Sequence, residues 1–541
     1  MPELLQDWVT AQADARPDAI AVVGDGEAVT YAQLEMGSNR LARVLKDAGC
    51  SRGDRICLSM SKSPAAITGI LGIYKADCIY VPLDPSGPAE RMTNVLRRCG
   101  CRWILGGSQA NDFLEDSGAA DISMGWIDDG PVPPRNRLRA AFTLDDARTY
   151  PETRPRSENT GEAPAHILFT SGSTGGPKGV VITHRNVIRF IEWAVSYFGI
   201  SASDRHSGHP PLPFDLSFLD IFGTFAAGAQ LHLVPGELNV APKKLVDFIR
   251  NRRLTQWFSV PSLLHYMAKF DVVAADDLPD LKRVLWCGEV FPTPSLIYWM
   301  KRLPRVQFTN LYGPTETTIA SSYYTVPRCQ EPSGPIPIGV ACSEEELLVL
   351  DDKMQPVPQG DIGELCIGGA GVSRGYWQDP EGTRKAFVPH PFGADRQERI
   401  YKSGDLARVG DDGLVYFRGR KDSQIKSRGY RIELGEIEGA LSTIEGIQES
   451  AVVAIGDEDM DAFIICCAYV PVTGATCRPV TLRQSLSRSL PHYMLPVHWR
   501  RFDLLPKNAS GKIDRRALKE EFVRSVHVKP TETHAASHTP R

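Results

Sequence analysis

Near its amino-terminal end the chain alternates short apolar runs with segments of helical period, and this alternation constrains the fold most. RICLSM (55–60) reads as a strand, PAAITGILGIYKA (64–76) as a helix and CIYVPL (78–83) as a strand. AERMTNVLRRCG (89–100) reads as a helix and RWILGG (102–107) as a strand. Strands interleaved with helices predict parallel sheets covered by helices. The polar, proline-bearing stretch 145–164 predicts a loop before the strand HILFT (166–170). From about 340 to 417 the pattern changes. ELLVLD, GELCIGG and GLVYFRGR are short apolar runs, several set apart by glycine or aspartate turns, which predicts a more antiparallel, barrel-like subdomain. A helix (433–444), two strands (450–456 and 462–470) and a second helix (481–490) follow.

One hydrophobic core rarely exceeds about 250–300 residues, so 541 residues imply at least two domains. The expected class is α/β. Residues 1–420 form a large domain of parallel and mixed sheets, 421–525 a small mobile α+β domain, and 526–541 a disordered tail. A formal charge of −4 argues against wholesale binding to nucleic acid or an anionic membrane. The twelve cysteines form no C-x-x-C pair, and no histidine cluster completes a zinc pattern. Cys466 and Cys467, adjacent in the apolar run AFIICCAYVPV, predict buried thiols in a strand and a reducing, cytoplasmic compartment. That run is shorter than the roughly 20 residues a bilayer span needs. The first residues carry no signal sequence and read as an amphipathic helix.

The chemistry begins at LFTSGSTGGPKGV (168–180). Thr170, Ser171, Gly172, Ser173, Thr174 and Gly175 combine hydroxyl donors with backbone that can turn its N–H groups into one concavity, and Lys178 adds charge. Such a loop cradles phosphate; the alternative is a flexible surface loop. A Walker loop needs G-x-x-x-x-G-K-[ST], but Pro177 precedes Lys178 and Gly179 follows it. GGAGVSRG (368–375) likewise fails the dinucleotide fingerprint.

TSGSTGGPKG resembles the phosphate loop of adenylate-forming enzymes, the superfamily of acyl-CoA synthetases, luciferases and peptide-synthetase adenylation domains. VTYAQL, YKADCIYVPLD, FDLS, NLYGPTE, GELCIGGAGVSRGYW, YKSGDL, GRKDSQIKSRGYRIELGEIE, LPHYMLP and ASGKIDR follow in the family's order over roughly residues 1–520. The set most resembles stand-alone amino-acid adenylation domains of the nonribosomal peptide synthetase type. The resemblance implies ATP and Mg²⁺ as cofactors, with a carboxylate joined to the α-phosphate and pyrophosphate expelled. An anion then attacks an anion, so positive charge must be placed beforehand. Lys512 resembles the lysine bridging carboxylate and α-phosphate; by itself it would read as a solvated loop lysine. Glu316 resembles the Mg²⁺ ligand, with Thr315 donating to phosphate; a glutamate at a helix start would look the same. Asp405 is expected to accept from the ribose hydroxyls, or to be a turn aspartate, and Arg420 to support ribose or phosphate. Tyr312, in N-L-Y-G with Gly313, offers a face to adenine, or packs in the core. Asn310 and the backbone near Gly288 and Glu289 meet the base edge. Asp422 occupies the hinge position, and Gly429 would let a pantetheine arm pass. Lys426 keeps the family pattern, while Ser427 departs from its commoner aliphatic residue.

Asp215 in FDLS resembles the aspartate that pairs with an α-ammonium group; the alternative is a helix N-cap. Alignment to the motifs carries over eight pocket positions, Leu216, Leu219, Phe258, Leu285, Cys287, Leu311, Ile319 and Ala320. All are apolar or thiol, which implies a small to medium aliphatic side chain. The pocket, with GHPPLPFDLSFLDIFGTFAAGAQLHLVP (208–235), looks most like that of prolyl–carrier-protein ligases, valine or leucine being the alternatives. No condensation signature precedes the domain and about 20 residues follow the small domain. The expected thiol acceptor is therefore a separate peptidyl carrier protein with a phosphopantetheine arm. LGGS (105–108) is one residue short of a carrier's modification motif and is set aside. An acyl- or aryl-CoA synthetase using free coenzyme A, and a non-catalytic nucleotide-binding scaffold, are the competing functions.

Overall fold

The computed structural model describes residues 2–24, 26–117, 121–128, 140–172, 176–328, 334–393, 398–457, 462–475, 477–508 and 512–527. They divide into two compact units, one running to 172 and from 176 to 431, the other from 432 onward.

The larger unit holds two large sheets. One has seven strands, and the alternating runs of the sequence supply its middle: Arg55–Ser59 lies between Ile79–Pro82 and Trp103–Gly106, all parallel. Pro164–Thr170 and Lys178–Thr183 close one edge as an antiparallel pair. The helix Pro64–Lys75 starts where the Ser63 side chain accepts from Ala66 N–H and proline takes the first turn. A Cβ on Gly72 would fall 2.7 Å from Leu41, so this helix lies close against Tyr31–Asp47. The second sheet has nine strands, of which Arg205–Gly208, Gln256–Ser259, Arg283–Cys287 and Gln307–Tyr312 run parallel side by side. The strands from Glu345 to Arg420 form a five-stranded sheet in which every pairing is antiparallel. The stretch expected to be a loop from 145 begins instead as a short helix, Leu144–Arg148. A capping box nucleates it: Thr143 accepts from Asp146 N–H, and the Asp146 carboxylate accepts from Thr143 N–H.

In the smaller unit Ile447–Asp457 pairs antiparallel with Ala462–Pro471, and His498–Arg501 adds in parallel. Cys466 and Cys467 are both buried in the middle strand, as expected. Arg515 forks onto Glu438 at 2.7 and 2.9 Å and ties helix Arg515–His527 to helix Leu434–Ser442. The helix expected at 481–490 runs Pro479–Leu486, because proline at 479 sets its first turn earlier. No helix among the described residues is long and apolar enough to cross a membrane.

Candidate active site

The strand Gln307–Tyr312 ends in Gly313, where a Cβ would meet the Ala320 backbone at 2.6 Å, so only glycine fits the turn. The tight turn Thr315–Thr317 follows. Thr318 and Ile319 then take φ of +60° and +68°, left-handed values that β-branched residues rarely adopt. Such strain costs about 1–3 kcal/mol per residue and persists only where neighbours over-determine it. Here the Thr318 hydroxyl donates to Gly371 O at 2.7 Å, Ser373 N–H donates to Glu316 O at 2.9 Å, and Thr317 and Ser321 hydroxyls meet at 2.7 Å.

This frame encloses Glu316 completely. Its carboxylate accepts from Arg431 Nη1 at 2.8 and 2.9 Å and from the Tyr376 hydroxyl at 2.9 Å. Burial alone would raise its pKa, but the Arg431 charge and these bonds outweigh burial and hold it below the usual glutamate range. Lys178 lies 5.1 Å over the Tyr376 ring, at the position paired with Thr170. The Ser171 hydroxyl donates to Arg431 O at 2.7 Å. A Cβ on Gly172 would strike Gly176 O at 2.3 Å. One end of the expected phosphate loop thus meets Glu316 through Tyr376 and Arg431. Ser173, Thr174 and Gly175 lie outside the described residues. Tyr376 and Arg431 fall inside the motifs GELCIGGAGVSRGYW and GRKDSQIKSRGYRIELGEIE, yet the sequence alone gives neither a part at Glu316.

A second polar group centres on buried Asp405. Antiparallel pairing sets it opposite Arg420, which forms an ion pair with it, and the Tyr312 hydroxyl donates to its other oxygen at 2.5 Å. Tyr312 also packs in the apolar cluster beneath, and Lys426 stands 5.3 Å over its ring. Arg420 also forks onto Asp422 with two bonds of 2.7 Å. Against the raising effect of burial, these bonds hold Asp422 below the usual aspartate range. Asn310 donates to Pro337 O at 2.8 Å, and Gly288 takes φ +101°. The Glu289 side chain accepts from Gly429 N–H at 2.9 Å and Ser262 N–H at 3.1 Å. Gly429 has φ +80°, and a Cβ there would lie 2.6 Å from Val260.

Asp215 stands at the start of helix Leu216–Ala227, yet its side chain makes no capping bond. The capping alternative is therefore not what the fold uses it for. Burial pushes its pKa up to about 6; the Thr315 hydroxyl and Leu216 N–H oppose burial, and the nearby Glu316 charge adds to it. All eight carried-over pocket residues belong to one buried apolar cluster. Phe258 pairs with Leu285 and Cys287 with Leu311 on neighbouring parallel strands, so the sheet itself sets their spacing. Burial first, then the charge of Asp215, pushes the Cys287 thiol up to about 12, so it stays protonated. Lys512 lies in the smaller unit, exposed in a turn where Asn508 N–H donates to Lys512 O at 2.7 Å.

Residues 9–377 match the AMP-binding enzyme family, and residues 436–512 match the AMP-binding enzyme C-terminal domain. Tyrocidine synthase 3 of Brevibacillus parabrevis is 36% identical over 517 residues, 95% of this chain and 8% of that protein. The chain thus spans less than a tenth of the length of this and three other curated relatives that it matches. Among solved structures, the Vibrio cholerae adenylation domain AlmE, in complex with glycyl-adenosine-5′-phosphate, superposes with a TM-score of 0.84 at 25% identity. The match covers 97% of this chain and 98% of that one. An NRPS protein containing adenylation and PCP domains superposes with a TM-score of 0.78 at 27% identity, over 95% of this chain and 84% of that one.

Proposed function

Because the chain belongs to the AMP-binding enzyme family of ATP- and Mg²⁺-dependent, adenylate-forming ligases, we propose that it activates the carboxylate of an apolar amino acid, L-proline first. The product is the aminoacyl-AMP, with release of pyrophosphate. The observation that carries this reading is Asp215, a half-buried carboxylate without a capping bond, next in sequence to the first of eight clustered apolar pocket residues. A carboxylate so placed needs a cation, because an unpaired buried charge is costly. The α-ammonium of an amino acid supplies it, and the secondary ammonium of proline offers charge with two N–H donors. The apolar cluster takes the side chain, each buried methylene contributing about 0.8 kcal/mol.

In this reading Thr170–Gly175 and Lys178 cradle the triphosphate, Thr315 donates to phosphate, and Asp405 with Arg420 holds the ribose. Tyr312, Asn310, Gly313, Gly288 and Glu289 frame the adenine. Glu316 is ionised and its present partner is a cation, Arg431. An anionic, oxygen-donating side chain so placed would hold Mg²⁺. When bound, Mg²⁺ neutralises triphosphate charge. Lys512 cancels repulsion between the attacking carboxylate and the α-phosphate. The aminoacyl group then passes to the phosphopantetheine thiol of a separate peptidyl carrier protein. The small domain 421–525 turns about Asp422, and Gly429 and Lys426 line the route of the arm. The solved adenylation–PCP protein at 27% identity supports a carrier as partner, and free buried cysteines fit a reducing cytosol.

The test is amino-acid-dependent ATP–pyrophosphate exchange across the proteinogenic amino acids. Proline should give the highest rate, with valine and leucine next. Exchange with no amino acid, together with coenzyme A thioester formation from a fatty or aromatic acid, would overturn the reading.

A further inference from the structure

Three cysteines that look unrelated in the sequence meet inside the larger unit. Cys57 lies in the strand Arg55–Ser59, Cys99 ends the helix Ala89–Cys99, and Cys101 follows two residues later. All three are buried, and their sulfur atoms lie within 4.8 Å of one another. The local fold explains the meeting. Gly100 takes φ +62° and closes the helix, with Cys101 N–H donating back to Leu96 O at 3.1 Å, so the chain reverses. Parallel pairing of Arg55–Ser59 with Trp103–Gly106 brings Cys57 beside the turn. The Arg55 guanidinium fixes that turn from outside, donating to Cys99 O at 2.8 Å and Gly100 O at 2.9 Å.

The group contains no histidine or carboxylate, so every ligand it offers is soft. Soft thiolates select Cu(I), zinc and iron–sulfur clusters, and zinc almost always takes four protein ligands in a closed structural site. Three buried sulfurs, two of which now donate to backbone carbonyls (Cys99 to Leu96 O at 3.4 Å, Cys101 to Trp103 O at 2.7 Å and Arg55 O at 3.2 Å), suit a three-coordinate d¹⁰ ion. Metal–sulfur bonds of about 2.3 Å in a trigonal plane set sulfurs about 4 Å apart. The observed limit of 4.8 Å leaves closure of less than about 1 Å to be made.

We propose that Cys57, Cys99 and Cys101 form a trithiolate site for one thiophilic monovalent cation, Cu(I), which staples the strand Arg55–Ser59 to the end of the helix Ala89–Cys99 and the turn that follows it. In binding, three S–H bonds give way to three Cu–S bonds and three protons pass to the buffer. The site does not depend on the proposed adenylation chemistry.

The test uses full-length protein, reduced and anaerobic, loaded with Cu(I) and challenged with bicinchoninate. The expected result is one retained equivalent, release of about three protons per copper, a raised melting temperature, and a sulfur-only shell near about 2.3 Å in X-ray absorption. Cys57→Ala, Cys99→Ala and Cys101→Ala should each lose the retained copper, while Cys466→Ala, a buried thiol of the other unit, should keep it. No retention by the wild type overturns the proposal, as does retention surviving Cys57→Ala or Cys101→Ala. A nitrogen or oxygen shell in the wild-type spectrum overturns it independently of any variant's folding.

Discussion

At the scale of single residues, the site consists of charges that need partners. Burial pushes the Asp215 carboxyl up to about 6, so in the proposed role its ionised, ammonium-binding form is lost as pH falls through that value. The KM for the amino acid should rise as pH falls through about 6, and Asp215→Asn should flatten that profile. Removing one partner of a buried charge pair costs about 2–5 kcal/mol. Asp215→Ala should therefore weaken amino-acid binding by at least about 30-fold, read as KM in pyrophosphate exchange; an unchanged KM would return the residue to a structural role. Lys512→Ala should slow adenylate formation by about 10²–10³-fold, as loss of one preorganised charge does, with ATP affinity retained in a binding titration. Motifs made most of these residues legible. Arg431 and Tyr376 were not, because their part depends on lying against Glu316, which adjacency in the chain does not reveal.

At the scale of elements, the glycine-bearing turn between Gln424–Ser427 and Tyr430–Glu433 is the informative case. Gly429 combines a left-handed φ with a Cβ position 2.6 Å from Val260. Gly429→Ala should leave pyrophosphate exchange within about twofold while cutting aminoacyl transfer to a pantetheine thiol by about tenfold or more, the outcome expected if 1–3 kcal/mol of strain and overpacking falls on one step. Equal loss in both assays would make the glycine a folding requirement only. The strand–helix alternation of residues 55–107 was readable because period and length agree there. The short helix Leu144–Arg148 was not, because its capping box sits in a polar, proline-rich neighbourhood that reads as loop. The trio of cysteines was invisible for a similar reason: C-G-C closes on Cys57 only after two strands pair.

At the scale of the whole molecule, burial pushes four buried histidines, His166, His184, His206 and His209, down to about 3 by disfavouring the imidazolium. Their folded pKa values lie below the unfolded value of about 6.5. The stability they contribute is thus present above pH 6.5 and lost progressively as pH falls towards 3. Between pH 7.5 and 5.5 each should cost on the order of 1 kcal/mol. The urea midpoint of the larger unit should fall accordingly, and His166→Phe, placed against the stacked Phe218 ring at 4.0 Å, should reduce the slope. A flat profile over that range would mean that these imidazoles reach water. The fold class was legible from alternation and motif order; the assembly of buried polar groups was not, since it rests on long-range pairing. One consequence concerns the proposed pocket walls. Phe258, Leu285, Cys287 and Leu311 are also central planks of the nine-stranded sheet and its main apolar cluster. Evolution cannot re-tailor the recognised side chain here without remodelling the foundation, so new preferences should arise in company with compensating substitutions deeper in the same layer.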